Sequence, residues 1–194
     1  VTLEHDEQSD RLVALYEGVV VDNRDPLRIG RVRLEIPGLI EPASGWALPI
    51  GNPGGGSDAQ GFFRPPKIGA EVSVFFVQGN IDQPRYLVGP WGSPGGNSES
   101  PTAVRALSPA DAVQLAVVQS DRWEIVLDDR PGKESLRIKD LQHDEDVIEI
   151  DGVRHGITIS GSAAVVIKSV GVVSIDALQI LLNGRIVRET GDPI

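Results

Sequence analysis

The stretch from Ile157 to Leu182, ITISGSAAVVIKSVGVVSIDALQILL, repeats with a period of eight residues and constrains this chain more than any other feature. Written as octads it reads ITISGSAA, VVIKSVGV, VSIDALQI, LLNGRIV. The first position holds Ile157, Val165, Val173 and Leu181, and the third holds Ile159, Ile167 and Ile175 before Asn183 breaks the series. The fifth is small, Gly161, Ser169 and Ala177, until Arg185. Period-two spacing, β-branched enrichment and the lack of an i, i+3, i+4 pattern predict strand rather than helix.

A strand repeat buries one face only if another layer covers it. Burial of Ile157, Ile159, Val165, Ile167, Val173, Ile175 and Leu181 is worth at most roughly 10–20 kcal/mol per chain, at ~1.5–3 kcal/mol each. Small residues recurring at the fifth position mark places where backbones crowd together at an axis or corner. The expectation is an intertwined homotrimeric β-prism with those seven side chains as its trimer core. The alternative is an ordinary run of β-hairpins in a sandwich.

The 194 residues allow one large domain or two small ones, and 22 Gly with 14 Pro and few helix-forming runs point to an all-β chain. The absence of Cys removes disulfides, thiolate metal sites and cysteine nucleophiles together. A net charge of −10 disfavours nucleic acid and anionic membrane surfaces as partners. No signal peptide and no apolar run of transmembrane length stand out, so the chain reads as soluble when made. It contains no Met, which fits removal of an initiator or cutting of the chain.

Taken in order, Val1 to Arg11 is polar and acidic, an arm or a loose terminus. Leu12 to Asp22 suits a buried strand, and NRDPLRIG is turn chemistry, with Asp25-Pro26 initiating and Gly30 closing. Arg31 to Ile36 alternates, so Val32, Leu34 and Ile36 face a core. Trp46 to Ile50 is a short strand. The glycine-rich Gly51 to Gly61 lacks both the Lys of a phosphate loop and a following helix, which leaves a flexible loop. FFRPPKIG is extended by its prolines. Glu71 to Gln78 reads as a strand apolar on both faces, Gly79-Asn80 as a turn, and Pro84 to Gly89 as a last strand. Five short strands with long loops form the layout of a small Greek-key barrel, an OB-fold in particular.

The series Gly18-Val19-Val20, Asp25-Pro26, Gly30-Arg31-Val32, Pro37-Gly38, Trp46-Ala47-Leu48-Pro49, Gly61, Pro66, Gly69, Val72, Val74, Phe76, Gly79, Pro84 and Leu87-Val88-Gly89 resembles the OB-fold domain of phage baseplate central spikes. That family includes the VgrG proteins of type VI secretion and baseplate assembly protein V. The resemblance covers Tyr16 to Gly92, and Trp123 to Lys139 looks like the hairpin that leads such proteins into a trimeric β-helix. It implies an arm over 1–15, an OB-fold over 16–92, a linker over 93–120, a β-hairpin neck over 121–156 and a triple-stranded β-helix with its tip over 157–194. In the linker, Ser108-Pro109-Ala110-Asp111 predicts one short helical turn, with Ser108 as N-cap. The resemblance makes Gln114 to Ser120 a strand.

Carboxylates occur at Asp128-Asp129 and Asp144-Glu145-Asp146. Neighbours on a strand or turn point apart, unlike the facing pair of a glycosidase, and 144–146 reads as a solvated acidic turn rather than a calcium loop. His5, His143 and His155 form no His-x-His pair, the feature by which some relatives hold iron near the apex. No metal, no cofactor and no catalytic set are therefore expected. The resemblance does not extend to the hub domain that VgrG proteins carry, so a baseplate hub is expected as a separate chain meeting the OB-fold. A trimeric needle ends in open strand ends, an edge that needs covering. Related spikes are often capped by a PAAR-type tip protein, so Arg185, Gly191, Asp192, Pro193 and Ile194 are expected to form a tip platform, with a frayed end as the alternative.

The function implied is that of a homotrimeric, membrane-piercing central spike and not an enzyme. Made in the host cytoplasm, it would stand in the virion baseplate at the tail tip and meet the target cell envelope transiently. The rival readings are a β-helical polysaccharide depolymerase and an OB-fold module for oligonucleotide or sugar. An oligonucleotide would need a basic groove with stacking aromatics, and the aromatics here sit in strands or beside proline in a chain of the opposite charge.

Overall fold

The computed structural model describes residues 12–51, 56 and 58–187. The chain is mostly β and forms two compact units, divided between Glu99 and Ser100.

The first unit holds β1 (Tyr16–Asp22), β2 (Arg33–Glu35), β3 (Leu48–Pro49), β4 (Glu71–Phe76) and β5 (Pro84–Val88). Its sheet runs β2-β1-β4-β5-β3, with β3 parallel to β5 and the other pairs antiparallel. Val32 and Ala47 exchange both backbone hydrogen bonds, at 3.0 and 2.8 Å, and so tie the start of β2 to the approach of β3. The sheet thereby closes on itself as the five-stranded barrel expected of an OB-fold. Val20, Val32, Leu34, Ile36, Ala47, Val72, Val74, Phe76 and Tyr86 fill it. Val32, Leu34 and Ile36 face inward as their alternation predicts. In β4 only Val72, Val74 and Phe76 are buried; Glu71, Ser73 and Phe75 face outward, so one face of that strand is core and the other is not.

The β1–β2 turn is built on Asp25. Its carboxylate accepts the backbone N–H groups of Leu27, Ile29 and Arg31 and the Arg31 guanidinium at 2.6 Å. That guanidinium also lies over the Trp46 ring, 5.4 Å from its centroid. Gly30 takes φ +82°, a conformation that side chains disfavour. The Tyr86 hydroxyl donates to the Gly30 carbonyl at 2.6 Å, and burial pushes its pKa up to about 12. Tyr86→Phe leaves that buried carbonyl unpaired, so urea unfolding of the barrel is expected to show a loss of roughly 1–3 kcal/mol; an unchanged midpoint would mean that water replaces the phenol.

The second unit holds α1 (Thr102–Arg105), α2 (Pro109–Ala112), β6 (Leu115–Gln119), β7 (Trp123–Asp128), β8 (Ser135–Asp140), β9 (His143–Asp151), β10 (Gly156–Ser160), β11 (Leu181–Leu182) and β12 (Arg185–Ile186). Ser108 caps α2 by accepting the Asp111 N–H, with Pro109 at the first position. The linker thus carries two α-helical turns and a 3-10 turn at Pro94–Gly96 rather than one helical turn, since α1 forms immediately after Pro101 without a side-chain cap. Strands β6 to β10 form one antiparallel meander. The acidic run Asp144–Asp146 opens β9 instead of forming a turn, and the turn falls at Leu141 and Gln142. Cross-strand partners explain this: Lys139 pairs with Asp144 at 2.7 Å and Asp146 accepts the Ser162 N–H. Strands β11 and β12 form a hairpin whose two loop residues, Asn183 at φ +50° and Gly184 at φ +74°, have the left-handed backbone of a two-residue turn. The octad phase ends there for that reason.

Candidate assembly surface

Residues directly opposite each other in antiparallel strands share a face, and in the meander this brings apolar residues into two rows. One row is Val118, Ile125, Ile138, Ile148 and Ile159; the other is Ala116, Leu127, Leu136, Ile150 and Ile157. Both rows cross all five strands without a polar interruption. Of the ten residues only Leu136 is partly covered; the rest lie open, Ile157 at 71% and Ile159 at 57%. On the opposite face Glu124, Val126 and Asp128 are buried, and the α1 segment reaches it through Thr102, which contacts Gln119 and Glu124. The usual arrangement, apolar in and polar out, is inverted in the single chain. Among the described residues after Ser100, Val126 is the only apolar side chain that is buried.

The chain that follows β10 is more exposed still. From Gly161 to Gln179 no strand forms, and no backbone hydrogen bond joins this stretch to another described part of the chain. The one tie back to the sheet is the Ser162 N–H to Asp146, while Ser169 accepts the Gly171 N–H within the run. Of the sequence-predicted trimer core, Ile157 and Ile159 stand on β10 within the two rows. Val165, Ile167, Val173 and Ile175 lie along the strandless run and Leu181 in β11, all more than half exposed. The structure therefore joins two of the seven to a shared face, sets Leu181 opposite Ile186 in the β11–β12 hairpin and leaves the other four along the strandless run. Arg185 is exposed at the β11–β12 hairpin; Gly191, Asp192, Pro193 and Ile194, with residues 1–11 of the arm, lie outside the described residues.

Sequence reasoning missed the share of this surface that precedes Ile157. The signal was present, since Ile125 and Leu127, Leu136 and Ile138, and Ile148 and Ile150 all alternate, but only strand register shows that they meet.

One end of the sheet is closed by ions. Asp140, 1% exposed, accepts two bonds from the Arg122 guanidinium, the shorter at 2.7 Å, together with the Gln142 N–H, and His143 stands 3.2 Å away. The Arg122 guanidinium holds Asp140 well below the ordinary 3.8, against the upward push of burial. Asp140, His143 and Asp146 have ligand atoms within 4.8 Å of one another, but Arg122 and Ser162 already engage the two carboxylates. The group acts as an ion-pair network. A depressed carboxylate contributes stability above its ordinary pKa and loses it as pH falls toward the folded value. Thermal stability is therefore expected to fall below pH ~4, and Arg122→Ala to lower stability at neutral pH while flattening that fall.

Residues 16–91 match the family described as the Type VI secretion system/phage-baseplate injector OB domain. Residues 16–91 of the first unit thus have the pattern of an injector OB domain, which supports a baseplate spike-like protein with a structural role in an injection machine. Among the curated proteins compared, none matches the chain.

If the Ile rows are wet in solution, Ile148→Lys should change stability by no more than ~0.5 kcal/mol, as at an ordinary surface site. If they are an interface, the same substitution should abolish assembly in a sedimentation experiment while the barrel keeps its fold. The second outcome is expected.

Proposed function

We propose that this chain is the homotrimeric central spike of a phage tail or related injection machine, attached to a baseplate hub through its OB domain and driven point-first through the target cell envelope. One observation carries the reading. Among the described residues after Ser100 there is almost no core, yet they display two continuous apolar rows and an apolar run with almost no paired backbone. Three copies related by a rotation axis would cover the rows and pair the run, as closed cyclic assemblies do. Gly161, Ser169 and Ala177 recur where three backbones would approach most closely. Such a needle works by stiffness: interchain backbone pairing and a dry axis resist bending, and no covalent chemistry is needed. The Asn183–Gly184 hairpin is where the needle would end, and Arg185 to Ile194 would form the platform on which a PAAR-type tip protein sits.

Light scattering in native buffer should return a mass three times the 20.8 kDa chain, and the oligomer should survive SDS without heating. A mass of two chains would replace the needle by a two-sheet sandwich, and a mass of one chain would sink the proposal.

A further inference from the structure

The OB domain carries a second unpartnered surface, distinguished by charge. Between Leu12 and Glu99 every Lys and Arg except Arg85 lies in or beside the β1–β2 turn and the loop before β4. The two segments pack together: Asn23 donates to the Pro66 carbonyl at 2.9 Å, and a cavity of about 330 Å³ opens between Arg28, Gly30, Phe63 and Pro65. Around it Leu27 and Phe63 are each 62% exposed, and Ile29 and Phe62 are about half exposed. Arg28 and Arg64 have no carboxylate partner among the described residues, whereas Arg24 and Arg31 are held by Asp22 and Asp25. Asp25 fixes the turn that displays Leu27, Arg28 and Ile29, so little ordering entropy remains to be lost on binding.

The outer face of the barrel sheet has the opposite character. Glu35 and Glu71 both stand directly opposite Val19, one on each side, and Glu17 lies two residues along β1 opposite Ser73. Among the described residues none of these three carboxylates has a cationic partner, and Phe75 and Leu87 add apolar area on the same face, with Arg33 and Arg85 at its margins, two residues from Glu35 and opposite Phe75. We propose that OB domains of neighbouring copies meet head to tail, the cationic and apolar turn of one (Leu27, Arg28, Ile29, Phe63, Arg64) seated on the acidic sheet face of the next (Glu17, Val19, Glu35, Glu71). Unlike faces that meet across a rotation axis form a ring if the rotation closes, and three copies close it; this step rests on the trimeric reading above. Opposite charges select the register, and the apolar residues within each patch exclude water from the ion pairs. A single-stranded oligonucleotide fits less well, because only Arg28 and Arg64 offer it unpaired cations at this patch.

The chain has no Cys, so the test is direct. Leu27→Cys with Ser73→Cys, treated with a short bismaleimide in the full-length protein, should give denaturing-gel bands of two and three chains and none larger, while neither single variant should give any. Adding Arg28→Glu and Arg64→Glu should abolish the bands, and further adding Glu17→Arg and Glu71→Arg should restore them. A native mass of three chains with no cross-link overturns the ring and leaves the spike intact; a native mass of one chain overturns both. Bands continuing beyond three chains would also overturn it, as would a labelled single-stranded oligonucleotide retained by the unsubstituted protein and released by Arg28→Glu with Arg64→Glu.

Discussion

Polar backbone groups taken out of water must find partners, and an apolar sheet face must be covered. The chain beyond Ser100 does neither by itself. Its meander pairs internally, but the Ile rows face outward, and residues 161–179 have neither sheet partners nor a layer to lie against. Each branched side chain left open forgoes roughly 1.5–3 kcal/mol of burial, so the loss across two rows approaches the whole stability of an ordinary domain. Everything proposed for this half of the molecule follows from relieving that deficit with further copies of the same chain.

The barrel is the opposite case. It closes through Val32 and Ala47, holds a packed interior, and fixes its β1–β2 turn with a single carboxylate. A unit with its own packed core is free to use its surface for attachment, which agrees with the match of residues 16–91 to an injector OB domain. The sorting of charge on that surface, cations at the turn and carboxylates on the sheet, is a property of the folded domain. It stays hidden in the overall charge of −10.

Much of this was legible in the sequence where the physics is local. Alternation at Val32, Leu34 and Ile36 gave the inward face of β2, Asp25-Pro26 gave the turn, and Ser108-Pro109 gave the cap of α2. What stayed hidden depends on partners distant in sequence. The acidic start of β9 is stable as strand only because Lys139 and Ser162 lie beside it. The continuity of the Ile rows depends on the register of five strands. The cationic patch exists because Phe63 and Pro66 fold back onto residues 23–30. The OB-fold came from strand count and resemblance together, and the parallel β3–β5 pairing that completes it has no local signature.

Hydrogen exchange over residues 163–179 of the intact protein tests the central claim most directly. The chain alone offers these amides almost no partner, so protection there must come from other copies. The account predicts exchange as slow as in the barrel strands, lost together with assembly in Ile148→Lys. Exchange at the rate of open chain in a protein whose barrel is fully protected would contradict it.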